Sequence, residues 1–224
     1  MLASGAAVGS MAVASPVSAA SDTVVLGFSL EPLSLDISGT AGQAIPQVLL
    51  NNVYEGLLRI EPSGKIVPGL ASSYTQSKDG LTWTFKLRKA KFHDGRSLNA
   101  SDVTWSFNRV LDPNDKSVLP AQKAEFKNVA SVVAKGADTV VLTLKERDNN
   151  LLFSLTQRGG VIFKAGTSNL ATSANGTGPY LFKQWNRGNN ITLSRNDKYW
   201  GPKAKTKTVV FRYILDATAL SNAM

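Results

Sequence analysis

Four large apolar residues, Leu81, Trp83, Phe85 and Leu87, alternate with Thr82, Thr84, Lys86 and Arg88. A period of two fixes this stretch as a strand with one buried face and one wet face. Asp79-Gly80, just ahead of it, is a turn dipeptide that joins it to an earlier strand. Downstream, Asn99 stands where a helix cap is needed, with Asp102 three residues on in capping-box position. Val103, Phe107 and Val110 form that helix's buried stripe. Strand, turn, strand, turn and capped helix therefore follow one another between Lys65 and Pro113.

The rest of the chain continues the mixed pattern. Thr23–Phe28 is a short β-rich run and a first strand. Ile45, Val48, Leu49, Val53 and Leu57 fall at helical spacing and predict a helix over 43–57. Pro62-Ser-Gly64 makes a turn. Val129–Leu144, broken at Lys135-Gly-Ala-Asp138, reads as a hairpin. A second hairpin joins Tyr180–Trp185 to Ile191–Ser194 around Arg187-Gly-Asn-Asn190, and Thr208–Ile214 is a final strand. The 224 residues, 43% hydrophobic and 18% charged, suit a globular protein of one or two domains.

The N-terminus carries a different signal. Residues 2–20 hold only Leu, Ala, Ser, Gly, Val, Met and Pro and end in small residues at Val17-Ser-Ala-Ala20. That is a signal-peptide-like leader over 1–21, which predicts export to the periplasm or cell exterior. No Lys or Arg precedes the apolar run, which predicts a natural start upstream of Met1. The chain has no cysteine, so it has no lipobox anchor, no disulfide and no thiolate chemistry.

Charge is lopsided. The formal net charge is +9, and residues 151–224 hold ten Lys or Arg against Asp197 and Asp216. Lys203, Lys205 and Lys207 alternate with Ala and Thr, with no recognition motif around them. They read as a solvated surface or one facing a partner lobe, and not as a nucleic-acid site. His93 is the single histidine, so a histidine metal cluster is excluded and any Ser-His-Asp triad rests on one residue. It sits beside a turn and reads as a turn-stabilising or surface residue. Gly176-Thr-Gly-Pro lacks the Lys-Ser/Thr ending of a phosphate loop and reads as a strand-entry turn. No cofactor, metal or catalytic residue is expected. Trp83, Trp105, Trp185 and Trp200 read as core or rim packing, and Glu55 as a carboxylate hydrogen-bonded for structural reasons.

Three blocks carry a family resemblance. They are Asn52-Val-Tyr-Glu-Gly-Leu-Leu-Arg-Ile-Glu-Pro-Ser-Gly64, the Lys65–Pro113 block, and Gly176-Thr-Gly-Pro-Tyr-Leu-Phe-Lys-Gln-Trp185 with Leu193-Ser-Arg-Asn-Asp-Lys-Tyr-Trp-Gly201. In this order they resemble the N-terminal part of the bacterial extracellular solute-binding proteins of family 5, the oligopeptide, dipeptide and nickel class serving ABC importers. The resemblance implies a mixed α/β lobe of the periplasmic-binding-protein type II, cluster C, with the opposing C-terminal lobe missing. It assigns 22–45 and 165–215 to the first lobe, 46–164 to an inserted small domain and 216–224 to the start of the second lobe. It also implies a monomeric, non-enzymatic binder of oligopeptides or dipeptides that delivers them to a membrane ABC permease complex, without nucleic acid. Within Phe28–Asp36 it makes Glu31, Pro32 and Leu33 the ligand contacts, an extended peptide lying against their backbone. The alternatives are a nickel-, haem- or oligosaccharide-binding member, a secreted hydrolase fragment, or an inactive truncated product.

Overall fold

The computed structural model describes residues 22–214; the leader and the 216–224 segment lie outside the described residues. In chain order the elements are β1 (Thr23–Phe28), α1 (Ala44–Leu49), β2 (Leu58–Ile60), β3 (Ile66–Pro68), β4 (Ala71–Gln76), β5 (Thr82–Leu87), α2 (Ala100–Leu111), α3 (Pro120–Glu125), β6 (Val129–Ala134), β7 (Thr139–Leu144), α4 (Leu151–Ser154), β8 (Tyr180–Asn186), β9 (Asn190–Arg195) and β10 (Thr208–Tyr213). They form two four-stranded sheets, ordered β4-β5-β7-β6 and β1-β10-β9-β8, with β2 and β3 as a separate pair. Every pairing is antiparallel except β1 with β10, which are parallel although they lie near opposite ends of the chain.

The alternating stretch is β5, and Trp83, Phe85 and Leu87 point into the first core as the pattern requires. Val140, Leu142 and Leu144 of β7 lie on the same face, covered by Val103, Phe107 and Val110 of α2. Phe107 meets Phe126 edge to face at 5.4 Å between ring centroids. Burying side chains of this size contributes about 1.5–3 kcal/mol each. The cap of α2 also forms: the Asn99 side chain accepts from the backbone N–H of Ser101 and Asp102, and Asp102 accepts from the N–H of Asn99. Asp102 does more than cap, since it is fully buried, pairs with Arg96 and accepts from the Ala165 N–H at 2.9 Å.

The second core lies under the β1-β10-β9-β8 sheet and holds Leu35, Ile37, Ile45, Val48, Leu49, Val53, Tyr54, Phe163, Ile191, Leu193, Phe211 and Tyr213. Residues 48–54, which the sequence reading groups with the inserted unit, pack here. The helix predicted over 43–57 is shorter than its apolar spacing suggests, because α1 ends at Leu49. Asn51 takes φ 60°, a left-handed conformation that asparagine tolerates and a continuing helix does not. Leu57 then packs in the first core.

The chain passes between the cores twice, and the two passages lie side by side. Gly56 bridges Val161 in antiparallel fashion, and the Ile162 N–H donates to the Glu55 carbonyl at 2.9 Å. Among the described residues no helix is long and apolar enough to cross a membrane.

Candidate functional site

In open α/β sheets ligands bind beyond the carboxyl ends of the strands. Here the parallel pair β1 and β10 end together, with the Ile214 N–H donating to the Phe28 carbonyl at 2.9 Å. The loop that leaves β1 at this point contains Glu31, Pro32 and Leu33. Pro32 is buried, Glu31 is half-buried, and Leu33 is 78% exposed, as is Leu30 at 64%.

The turn between β8 and β9 holds this loop from behind. One Glu31 carboxylate oxygen accepts from the Trp185 indole N–H at 2.6 Å, and both accept from the Gly188 backbone N–H at 3.0 Å. Arg187 donates to the Leu33 carbonyl at 3.1 Å, and its guanidinium lies 3.5 Å from the Trp185 ring centroid. That stacking is a cation–π contact of an exposed arginine on a half-buried tryptophan. Gly188 sits at φ 72°, so the turn depends on glycine there. Below the loop, the Tyr213 hydroxyl is buried without a partner; burial first, and then the Glu31 charge, push its pKa up. The next residues are also tied down. Asp36 accepts from the N–H of Ser38 and Gly39, and the Leu35 N–H donates to the Ala171 carbonyl.

Glu31, Pro32 and Leu33 thus lie together at the end of the parallel pair, but they face different ways. Glu31 turns its carboxylate inward, onto protein donors, while Leu33 turns outward. Sequence reasoning missed Trp185, Arg187, Gly188 and Tyr213 as neighbours of this loop. Arg187-Gly-Asn-Asn190 was legible as a turn, but nothing local says that a turn more than 150 residues away would reach Glu31.

A second carboxylate cluster joins the two cores. Glu55, 4% exposed, accepts from the Tyr199 hydroxyl at 2.7 Å, the Thr177 hydroxyl at 2.8 Å and the Trp200 indole N–H at 2.9 Å. Burial pushes its pKa up, and these three hydrogen bonds and the nearby Arg88 charge pull it back. Arg88 lies 3.8 Å over the Trp200 ring and donates to the Gly69 and Ala71 carbonyls. Glu55 has the structural hydrogen bonding expected of it, and Trp200 packs beside it. The Gly176-Thr-Gly-Pro segment is the wall of this cluster. A Cβ on Gly176 would lie 1.8 Å from the Val53 carbonyl oxygen, so only glycine fits.

His93 lies on the same seam. Its N–H donates to the Gly176 carbonyl at 2.8 Å, and its Nε2 lies 3.0 Å from the Gly178 carbonyl. A carbonyl only accepts, so Nε2 carries the proton and the buried Nδ1 is left without a partner. Burial pushes the pKa of His93 down. Among the described residues no three histidine or acidic side chains are grouped to hold a metal ion.

The family model of bacterial extracellular solute-binding proteins, family 5 (middle), matches residues 65–224. The chain belongs to this family. A glutathione-binding protein of Pectobacterium atrosepticum is 30% identical over 215 residues, covering 91% of this chain and 40% of that protein. Heme-binding protein A of Haemophilus influenzae is 34% identical over 218 residues, covering 86% and 39%. Among solved structures, the PBP AgaA of A. tumefaciens R10 in complex with agropinic acid superposes with TM-score 0.84 at 32% identity, covering 90% of this chain and 41% of that one. The periplasmic binding protein DppA of Helicobacter pylori in complex with the peptide STSA gives 0.81 at 26%, covering 90% and 44%. The fold is that of a family 5 solute-binding protein, and the chain spans about 40% of the length of the relatives it matches. These relatives are binding proteins by name, and their ligands differ.

Proposed function

We propose that this chain contributes one wall of the ligand cleft in an exported solute-binding component of an ABC importer, and that the ligand is a dipeptide or oligopeptide. The observation that carries the reading is the loop at Ser29–Leu33. It ends the parallel pair, it is held from behind by Trp185, Arg187 and Gly188, and its main chain carries the exposed residues Leu30 and Leu33. An extended peptide would lie along that main chain, which gives affinity with little side-chain selectivity. In this reading Glu31 positions the loop while Leu33 and the backbone meet the ligand, with Pro32 buried beneath. Membership of the family supports extending the reading to delivery of the ligand to a membrane permease.

Titration calorimetry on an intact, two-lobed version with a library of dipeptides to pentapeptides tests the proposal, with glutathione, haem and nickel as comparison ligands. Peptide binding is the expected result. The 224-residue chain alone should bind peptide weakly or not at all, since one wall leaves most of the ligand in water. Tight binding of haem or nickel with no response to peptides would overturn the ligand class.

A further inference from the structure

We infer that the cavity at the N-terminal end of α2 is a second binding site, one for a small apolar molecule that carries a carboxylate. The cavity holds about 400 Å³, within the range of small-molecule sites. It lies between the end of β5, the Lys91–Ser97 bridge and the β6–β7 turn. Every residue that lines it falls between Leu87 and Asp138. The Ala100 N–H ties the start of α2 to its rim, donating to the Ala137 carbonyl at 2.8 Å. The other end of α2 serves the Ser29–Leu33 region: Arg109 meets Asp36, just past that loop, at 3.7 Å. About 14 Å of helix separates Arg109 from Ala100. The inference therefore stands apart from the peptide reading.

The charges around the cavity do not balance. Arg88, Lys89, Lys91 and Asp138 line it, and two of them are committed elsewhere. Arg88 donates to the Gly69 and Ala71 carbonyls and lies over Trp200. Asp138 pairs with Lys86 at 3.3 Å and accepts from the Thr139 hydroxyl at 2.9 Å. Lys89 and Lys91 are exposed, and neither ammonium group has a partner among the described residues. They flank the buried Ala90, and this exposed-buried-exposed alternation is that of an extended chain. Both lysines then leave the same side of it, from Cα atoms about 6–7 Å apart. Like charges so close repel, and an anion between them replaces that repulsion with two charge-assisted hydrogen bonds.

The floor adds apolar contact and one more donor. Leu87, Ala90 and Leu98 are buried there, and the lysine stems extend the apolar wall. The Leu98 N–H donates to the Ala90 carbonyl at 3.0 Å, but the return bond is not made, and the Ala90 N–H meets no acceptor among the described residues. Ala90 is 4% exposed. Main-chain donors this deep are nearly always paired, and a carboxylate oxygen pairs this one. The same three positive groups disfavour a cation.

Octanoate is the probe. Titration calorimetry on the 224-residue chain should show it binding. Acetate, inorganic phosphate and octanol should each bind weaker by about tenfold or more, since the first two lack the apolar body and the third lacks the charge. In an amide-shift map by NMR, octanoate should move Lys89, Ala90, Lys91 and Ala137 and leave Leu30 and Leu33 in place. Lys89→Gln combined with Lys91→Gln should weaken octanoate by about tenfold or more. Lys183→Gln on β8, an equally exposed site in the other sheet, should leave it unchanged. If the double variant fails to melt with the parent, the shift map of the unaltered chain still decides. No octanoate binding at millimolar concentration would overturn the inference. So would acetate, phosphate or octanol binding as tightly as octanoate, or shifts centred on Leu30 and Leu33.

Discussion

Glu55 and Glu31 are two carboxylates with the same kind of partner and opposite settings. Each accepts from a tryptophan indole N–H, at 2.9 Å from Trp200 and 2.6 Å from Trp185. Glu55 is sealed between the cores, with its remaining bonds going to side-chain hydroxyls. Glu31 is half-buried, and its other donor is the backbone of an exposed turn. The first arrangement spends its hydrogen bonds on holding two cores together. The second fixes a loop whose far side faces solvent. A hydrogen-bonded carboxylate beside a tryptophan is therefore no mark of a binding site; what separates the two is whether an exposed surface lies beyond it.

The comparison can be broken from the Glu55 side first. Gly176→Val would drive a side chain into the Val53 carbonyl, where even a Cβ would sit at 1.8 Å. Overpacking against backbone should cost more than about 3 kcal/mol, and the expected outcome is a chain that does not fold cooperatively in a thermal melt. A normal melt would mean the Glu55 seam is looser than its geometry. Next, Glu55→Gln replaces a carboxylate that accepts from three donors by a neutral amide whose oxygen can keep Thr177 and Trp200 while its NH2 forces the Tyr199 hydroxyl to turn and accept. It should destabilise by about 2–4 kcal/mol, measured by urea unfolding. A loss below about 1 kcal/mol would remove the contrast with Glu31.

Glu31→Gln should have the smaller stability effect, about 0.5–1.5 kcal/mol, because water can replace the lost partner. In the intact protein its larger effect should be on peptide affinity, read by calorimetry, since Ser29–Leu33 would lose its hold on the β8–β9 turn. A melt as low as that of Glu55→Gln, with unchanged affinity, would place Glu31 in the same structural class.

The smallest effect should come from pH. His93 has a depressed pKa when folded, so the unfolded chain binds more protons as pH falls below about 6.5, and stability is lost in that direction. Glu55, with a raised pKa, acts in the opposite sense: folding favours its protonated form, so it offsets part of the loss where it titrates. The depressed carboxylates, Asp94 and Asp115 among them, lose their contribution only below the ordinary carboxylate range. Between pH 7 and 5, His93→Gln should therefore lose less stability than the parent, by under about 1 kcal/mol. Parallel denaturant curves at both pH values would check this, and equal losses would remove His93 as the cause.

Local chemistry was readable in the sequence, and long-range chemistry was not. The alternation at Leu81–Leu87, the Asn99–Asp102 cap and both hairpins are set by residues within a few positions of one another, and all form as read. The helix over 43–57 failed at Asn51, where one left-handed residue overrides an apolar spacing that continues past it. Asp102 was legible as a cap, but its bond to Ala165 was not. Glu31 was legible as part of a loop after a strand. Its contact with Trp185 spans 154 positions, and no periodicity encodes a pairing of that kind.

The parallel pairing of Thr23–Phe28 with Thr208–Tyr213 also sets an order of events in time. Closing the long loop between Phe28 and Thr208 is slow compared with forming the short-range pairs β4–β5 and β6–β7, since rates fall as contacting residues lie farther apart. During synthesis β1 emerges well before β10, so it has no β10 to pair with while the segment between them is made. That segment then brings the two ends into register, the side-by-side passages at Gly56 and Val161 acting as its frame. Pulse-labelled hydrogen exchange during refolding should protect the amides of β5 and β7 before those of β1. Simultaneous protection would mean that the ends meet without the middle. An apolar strand made long before its partner is a stretch that gains from a holdase until that partner arrives.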